Sequence, residues 1–262
     1  MNDDKVIAQK DGPVGSMIFN NPGRRNAVSL GMWERAAAIL NDFAGDPAIR
    51  VVVISGAGGK AFASGADISE FERERATADA VARYNATTER TSSALYNLPK
   101  PTIAMIEGWC IGGGLALAIA CDLRIASETS RFGIPAARLG VGYGVNGIRR
   151  LVDLVGPAAA KDIFFTARHY TAAEALRLGL VNAVVPAAAL ESHVRDYAAM
   201  IAANAPLTIA AVKRTVGEVL KDPADRDTLL CERLIAACHA SQDYIEGRRA
   251  FMEKRQPNFA GR

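Results

Sequence analysis

The period of hydrophobic and polar positions changes several times along this chain, and each change marks an element. Residues 6–9 and 14–20 are apolar-rich segments on either side of Asp11-Gly12-Pro13, which predicts a short hairpin. Residues 20–26, Asn-Asn-Pro-Gly-Arg-Arg-Asn, are turn formers and include two adjacent arginines. Met32, Ala36, Ile39, Leu40 and Phe43 then recur at helical spacing, so an amphipathic helix is expected to end near Gly45 and Pro47. Residues 50–54 are a β-branched run of the fully buried strand type, followed by a loop over 55–67. Helical sequence runs from about 69 to 97, with a break near Thr77. Pro99 and Pro101 bracket the entry to another buried strand at 102–106, and a further strand is expected at 123–126.

A second glycine-rich segment, 139–147, leads into helical sequence reaching about residue 167. Residues 171–178 read as a short helix capped by Thr171 and stopped by Gly179, before a strand at 180–185. From Pro186 onward the pattern is almost all helical, punctuated at Pro206 and Asp222-Pro223. Strand–loop–helix units thus fill the first two-thirds, which predicts an α/β class. The composition shift over 186–204 predicts a core over residues 1–200 and a helical region over 201–262. The runs at 50–54 and 102–106 are each followed by a glycine-bearing loop and a helix, which suggests a repeated unit.

Composition narrows the classes. Half of the 262 residues are apolar and 23% are charged, as in ordinary globular proteins. A net charge of +3 gives no electrostatic argument for nucleic acid or an anionic membrane as a partner. Four cysteines lack a framework spacing, and the polar amino terminus lacks the apolar stretch of a secretory signal, so a cytoplasmic setting is expected. The longest apolar run, 115–121, is far too short to span a membrane.

The candidate chemistry centres on Gly108-Trp109-Cys110-Ile111-Gly112-Gly113-Gly114, which follows the buried strand at 102–106 and opens an apolar segment. Three glycines remove every Cβ where a helix would begin, so a ligand can approach bare backbone. The first N–H groups of a helix have no partner within it and carry the positive end of its dipole. Such a place suits an anion, or an oxygen on which negative charge develops. A tight strand–helix crossing that needed small residues would use the same triplet. Two other glycine loops do not support a nucleotide site. Gly142-Tyr143-Gly144-Val145-Asn146-Gly147 fits the dinucleotide fingerprint in letters, but no convincing strand precedes it. Gly56-Ala57-Gly58-Gly59-Lys60-Ala61 lacks the spacing and the hydroxyl residue of a phosphate-binding loop. Cys231 and Cys238 lie seven apart beside His239 without a further ligand, and His169 and His193 have no partner in sequence, so no metal site is expected.

The segment Ala61-Phe62-Ala63-Ser64-Gly65-Ala66-Asp67-Ile68, taken with the glycine triplet, resembles the crotonase family, the enoyl-CoA hydratase/isomerase superfamily. The resemblance extends over nearly the whole chain. It includes Asn21-Pro22 through Asn26-Ala27, Cys121-Asp122-Leu123, Arg131-Phe132-Gly133, residues 173–181, and Ala250-Phe251-Met252-Glu253-Lys254-Arg255. The fold it implies is an α/β spiral of ββα units in nearly perpendicular sheets, followed by a helical trimerisation region. The substrate it implies is an acyl-CoA, with coenzyme A entering as part of the substrate and no separate cofactor. The backbone N–H groups of Ala66 and Gly113 would then form an oxyanion hole for the thioester carbonyl, with Gly112 and Asp67 among the substrate- and CoA-binding residues and Asp67 mainly shaping its loop. Ala63 and Ile68 would line the slot for pantetheine and adenine, and Arg24 falls where the family contacts the CoA phosphates. Phe251 and Lys254 would reach the CoA of a neighbouring subunit in a homotrimer or a dimer of trimers.

One departure changes the expected chemistry. Hydratases of this family place a glutamate two residues after the glycine triplet and another after the Phe-Gly-x-Pro turn; this chain has Ala116 and Ala136 there. Alanine neither donates nor accepts a proton, so activation of water by a carboxylate pair is missing. Tyr143 is the replacement the sequence offers. Residues 139–151, the pattern Gln242-Asp243-Tyr244-x-Glu246-Gly247 and the closing Glu253-Lys254-Arg255-x-Pro257-Asn258-Phe259 are similar to methylmalonyl-CoA decarboxylases of the same family. Those enzymes carry a histidine at the position of Ala66. Glu70, Glu89, Arg90, Arg138 and Asn146 also fall near the expected acyl pocket, where solvated helix faces explain them equally simply. The resemblance implies an enoyl-CoA hydratase/isomerase family enzyme acting through an oxyanion-hole-stabilised enolate, with a decarboxylase or isomerase role suiting these residues better than hydration; the alternatives are a methylmalonyl-CoA decarboxylase-like enzyme and a catalytically weak acyl-CoA binding protein.

Overall fold

A computed structural model describes residues 5–67, 70 and 76–262. Ile68, and the part of the expected helical sequence at 69 and 71–75, lie outside the described residues. The strands are β1 (Val6–Asp11), β2 (Val14–Phe19), β3 (Val51–Gly56), β4 (Ala61–Ala63), β5 (Thr102–Ile106), β6 (Trp109–Ile111), β7 (Leu123–Ser127), β8 (Arg131–Gly133), β9 (Tyr170–Thr171) and β10 (Ala183–Val185). They make a six-stranded sheet in the order β1-β2-β3-β5-β7-β10 and a four-stranded sheet in the order β4-β6-β8-β9. The β1–β2 hairpin is antiparallel, with Val6 opposite Phe19, and the other pairs of the larger sheet are parallel.

The repeated unit is real and is a strand pair. In β3–β4, β5–β6 and β7–β8 the first strand joins the larger sheet and the second joins the smaller one. The helices are α1 (Leu30–Gly45), α2 (Ala78–Tyr96), α3 (Gly113–Ala120), α4 (Ala136–Leu139), α5 (Val145–Thr166), α6 (Ala172–Arg177), α7 (Leu190–Ala202), α8 (Pro206–Val219), α9 (Thr228–His239) and α10 (Gln242–Glu253). Caps fix several starts, since unpaired N–H groups at a helix end need an acceptor. The Ser29 hydroxyl accepts from the Met32 N–H, the Thr77 hydroxyl from the Ala80 N–H, and Thr171 with Glu174 closes a reciprocal capping box.

Both faces of the larger sheet are covered, which is why its central strands read as unbroken apolar runs. Val52, Ile54, Ala104, Ile106 and Ala126 enter the main core with the Met32–Phe43 face of α1 and with Leu115, Leu117, Ala118, Ile119 and Ala120 of α3. Val51, Val53, Ile103 and Ile125 face the other way and pack on Leu190, Val194, Ala198 and Ala202 of α7. At about 25 cal/mol per Å² of apolar surface removed from water, each buried Leu, Ile or Phe contributes roughly 2–3 kcal/mol. Polar ties fasten the last third of the chain to this core. Lys213 Nζ bonds Asp122 Oδ2 at 2.7 Å and the Lys100 carbonyl at 2.9 Å, and Arg50 Nη2 donates to the Phe259 carbonyl at 2.6 Å.

Three expectations about elements are corrected, and one short helix is added. The loop expected over 55–67 contains β4, and β6, β8 and β9 are further strands of two or three residues that period-2 patterning cannot reveal. The strand expected at 180–185 is only Ala183–Val185, because the Leu180 N–H turns back to the Ala175 carbonyl at 2.9 Å. The glycine-rich segment at 139–147 is preceded by the short α4. The helix expected to reach about residue 167 is broken at Gly156, whose φ of 76° and ψ of 165° kink it just before Pro157.

Candidate active site

The loops after β2, β4 and β6 converge, and they do so through buried polar bonds. Asn26, fully buried at a φ of 56°, accepts from the Asn21 N–H at 2.8 Å and donates to the carbonyls of Ala57 at 3.0 Å and Ala61 at 2.7 Å. One side chain thus ties the 20–28 loop to the β3–β4 connection. The Ser64 N–H donates to the Arg25 carbonyl at 3.1 Å, and Val28 forms a parallel bridge with Ala66. Within that bridge the Val28 N–H goes to the Gly65 carbonyl at 2.8 Å, and the Asp67 N–H to the Val28 carbonyl at 3.2 Å. Backbone N–H groups alternate in direction along extended chain, so the intervening Ala66 N–H points away from Val28. No acceptor among the described residues takes it.

The glycine triplet supplies the other side. Gly112 stands at φ 55° and ψ −117°, a conformation only glycine adopts easily, and caps α3. Gly114 is required for a different reason: a Cβ there would lie 2.1 Å from the Ala63 carbonyl oxygen. Between them, Gly113 begins α3 with an N–H that has no partner in the helix and none among the other described residues. A Cβ on Gly113 would lie 3.8 Å from the Ala66 nitrogen, and one on Gly65 would lie 3.6 Å from the Gly113 nitrogen. Two N–H groups without an acceptor among the described residues therefore lie close together at the positive end of α3. The same point beside Gly113 is 3.6 Å from Cζ2 of the buried Trp33.

Tyr143 lies near Gly112. Its ring meets Phe164 edge to face, with centroids 5.0 Å apart, and its hydroxyl is 3.8 Å from where a Cβ on Gly112 would stand. Ala116 occupies the first turn of α3, half-buried, with its N–H on the Gly112 carbonyl at 3.0 Å. Ala136 is buried at the start of α4. The two cysteines flanking α3 are no nucleophiles. Burial pushes the Cys110 thiol well up and the Cys121 thiol up to about 12, so both stay protonated at neutral pH.

The other residues expected at the site are placed as follows. Arg24 closes a short turn at Pro22–Arg24 and bonds the nearly buried Asp67 carboxylate through both oxygens, at 3.0 and 3.1 Å. Its own side chain is 56% exposed. Ala63 is fully buried, with its carbonyl pressed against Gly114. Ile68 lies outside the described residues. Phe251 and Lys254 are exposed on and just after α10, away from the Ala66–Gly113 pair in sequence and without a hydrogen bond or ion pair to it among the described residues. Phe251 instead lines an apolar groove of about 860 Å³ with Val212, Val216, Val219 and Ile235. Asn26 was not singled out by sequence reasoning, although an asparagine ending a run of turn formers is the residue type that tolerates its left-handed backbone. Trp33 neighbours Met32 on the expected apolar face, and nothing in the sequence tied it to Gly113.

Alternating strand pairs that cross between two sheets, with backbone donors at the start of a buried helix, define an α/β enzyme fold. The enoyl-CoA hydratase/isomerase family model matches residues 9–262, and the chain belongs to that family, the crotonase superfamily. The chain is 34% identical over 251 residues to a short-chain-enoyl-CoA hydratase of Clostridium acetobutylicum, covering 96% of this chain and 95% of that one. It is also 34% identical to a carnitinyl-CoA dehydratase of Escherichia coli, with 97% of each chain covered. Among solved structures, an enoyl-CoA hydratase/isomerase family protein from Hyphomonas neptunium superposes with a TM-score of 0.94 at 38% identity, over 98% of both chains.

Proposed function

We propose that this chain binds an acyl-CoA, stabilises the enolate of its thioester, and forms that enolate by decarboxylation rather than by hydrating an alkene. What supports the reading is the closeness of the Ala66 and Gly113 N–H groups, neither accepted among the described residues, together with alanine at the family's two glutamate positions, Ala116 and Ala136. Donors held at about 2.7–3.1 Å from a developing oxyanion are each worth roughly 3–4 kcal/mol in the transition state. They need no side chain, so the loss of both carboxylates leaves them intact.

For a thioester bearing a carboxylate on C2, the C2–carboxylate bond breaks and carbon dioxide leaves. The released pair forms the C1–C2 double bond while the carbonyl π pair moves onto oxygen, where the two N–H groups hold it. The enolate then collapses and C2 takes a proton. The Tyr143 hydroxyl, beside Gly112, is the donor we assign, and solvent returns the proton to the phenolate. No general base is required to start this sequence. Alkene hydration needs one to activate water, and Asp67, the carboxylate next in sequence to Ala66, is engaged by Arg24.

In the same reading coenzyme A enters as part of the substrate, along the loops that carry Arg24, Ala63, Asp67, Ile68 and Gly112. Phe251 and Lys254 reach the CoA of a neighbouring copy, and the helical region from 201 onward is the oligomerisation region of a homotrimer or dimer of trimers. The apolar groove beside Phe251 supports this, since so wide an apolar surface is costly to leave in water. A second reading, hydration, is favoured by the names of the relatives at 34% identity. Release of carbon dioxide from methylmalonyl-CoA by the purified protein, reduced at least about tenfold in Tyr143→Phe, is the result expected for decarboxylation. Hydration of crotonyl-CoA at ordinary enzymatic rates, undiminished in Tyr143→Phe, would overturn it. Tight binding of CoA esters without turnover of either would leave only a binding protein.

A further inference from the structure

One buried hydrogen-bond donor beside the glycine triplet has no task in the reaction as derived. Trp33 is 2% exposed, and its indole Nε1–H is buried without an acceptor among the described residues. Such a group costs stability, because it has given up water without a replacement, and native proteins carry few of them. The backbone fixes its position. The Trp33 N–H bonds the Ser29 carbonyl at 3.1 Å, and the Trp33 carbonyl accepts from the Thr91 hydroxyl of α2 at 3.1 Å. Only the capped first turn of α1 separates Trp33 from Val28, the residue that bridges Ala66.

The ring meets Gly113 through the atom next to its polar corner. Cζ2 lies 3.6 Å from where a Cβ on Gly113 would stand, and the Ala66 nitrogen lies 3.8 Å from the same point. Cζ2 and Nε1 are both bonded to Cε2, so the unaccepted N–H adjoins the part of the indole that touches the triplet. An indole N–H donates and cannot accept, so only an acceptor atom completes it. In the proposed reaction the thioester oxygen has two lone-pair directions, and the Ala66 and Gly113 N–H groups take both. The acceptor left over on the substrate is the carboxylate on C2, the atom bonded to the thioester carbonyl carbon. An uncharged donor also suits a carboxylate that must leave. Decarboxylation moves negative charge from that group to the thioester oxygen, so a cation there would stabilise the ground state more than the transition state. The indole N–H orients the carboxylate without holding its charge.

We propose that Trp33 is a specificity-determining residue: its Nε1–H donates to the carboxylate on C2 of the acyl group, and so selects a 2-carboxyacyl-CoA over the simple acyl-CoA of the same chain. The inference rests on the decarboxylation reading and deepens it by naming the side chain that meets the leaving group.

The test uses two CoA esters that cannot lose carbon dioxide: propionyl-CoA, and 2-sulfopropionyl-CoA, whose sulfonate offers acceptor oxygens where the carboxylate would stand. Calorimetry gives their affinities for the wild type and Trp33→Phe, and the indole N–H resonances of the isotope-labelled wild type are followed in the same titrations. The chain has two tryptophans, Trp33 and Trp109. Trp109→Phe therefore assigns the two signals, and the spectral readout does not depend on Trp33→Phe folding. Trp33→Phe is expected to lose about ten- to a hundredfold in affinity for 2-sulfopropionyl-CoA and less than about twofold for propionyl-CoA. In the wild type the Trp33 indole proton moves downfield with 2-sulfopropionyl-CoA and stays in place with propionyl-CoA. Equal losses for both esters, or a Trp33 signal that responds alike to both, would overturn the assignment. Carbon dioxide release from methylmalonyl-CoA decides the underlying reading separately. Its absence, with the Trp33 responses as expected, would overturn decarboxylation and leave Trp33 as a donor to an acidic acyl group.

Discussion

Replacing Gly113 and Gly114 one at a time by alanine separates the chemistry of the triplet from its packing. At Gly114 the added methyl would sit 2.1 Å from the Ala63 carbonyl oxygen and 2.7 Å from its carbonyl carbon. Both are backbone atoms of a buried strand, so β4 or α3 must shift, and the cost is about 3 kcal/mol or more. At Gly113 the closest atoms are Trp33 Cζ2 at 3.6 Å and the Ala66 nitrogen at 3.8 Å, both ordinary contacts. The φ there is not positive, and alanine in a helix is favoured over glycine by roughly 0.5–1 kcal/mol. In the proposed oxyanion role of this N–H, the Gly113→Ala methyl, 3.8 Å from the Ala66 nitrogen, would crowd the thioester oxygen between the two donors. Loss of one oxyanion contact is worth about 3–4 kcal/mol, or roughly 10²–10³ in kcat. Thermal unfolding and turnover of a carboxyacyl-CoA measured on the same preparations should therefore diverge. Gly113→Ala keeps or slightly raises Tm and loses turnover, while Gly114→Ala loses about 10 °C in Tm at roughly 2–4 °C per kcal/mol. Wild-type turnover in a well-folded Gly113→Ala protein would refute the assignment of that N–H.

Further outcomes follow from the same coordinates. Asn26→Ala leaves one N–H and two carbonyls of a buried loop without their partners and places alanine at φ 56°; chemical denaturation should show a loss of about 3–4 kcal/mol. Under native conditions a thiol reagent should leave Cys110 and Cys121, held protonated by burial, unlabelled until the protein unfolds. Backbone and side-chain hydrogen bonds from Thr171, with one from Arg168, hold the Glu174 carboxyl at about 2 rather than its ordinary 4.5. A depressed carboxyl stabilises the fold above its unfolded value, so this contribution is full near pH 6 and disappears as pH falls from about 4.5 toward 2. Thr171→Ala should remove about 1 kcal/mol at pH 6 and show a smaller pH dependence over that window.

The long elements and the triplet were legible because their patterns are local. A five-residue β-branched run, an apolar helix face and a capped helix start each announce themselves within one window. Three-residue strands do not. Ala61–Ala63 is buried on both sides and flanked by turn residues, so it has no alternation to read, and Trp109–Ile111 and Arg131–Gly133 are equally short. The second sheet was therefore implied only by resemblance. The pairing of Ala66 with Gly113 likewise came from resemblance, since it depends on a bridge between Val28 and Ala66 that no spacing encodes. Glu89 and Asn146 read as solvated helix residues until α2 and α5 are side by side, when a single carboxylate oxygen is seen to serve both.

The fate of crotonyl-CoA, followed by loss of its enoyl absorbance in the presence of the wild-type protein, tests the central claim most directly. With alanine at positions 116 and 136 the family's carboxylate pair is missing, and the expected rate is the uncatalysed background. Turnover at about 1–10³ per second, the ordinary enzymatic range, would contradict the account and restore this chain to the hydratases.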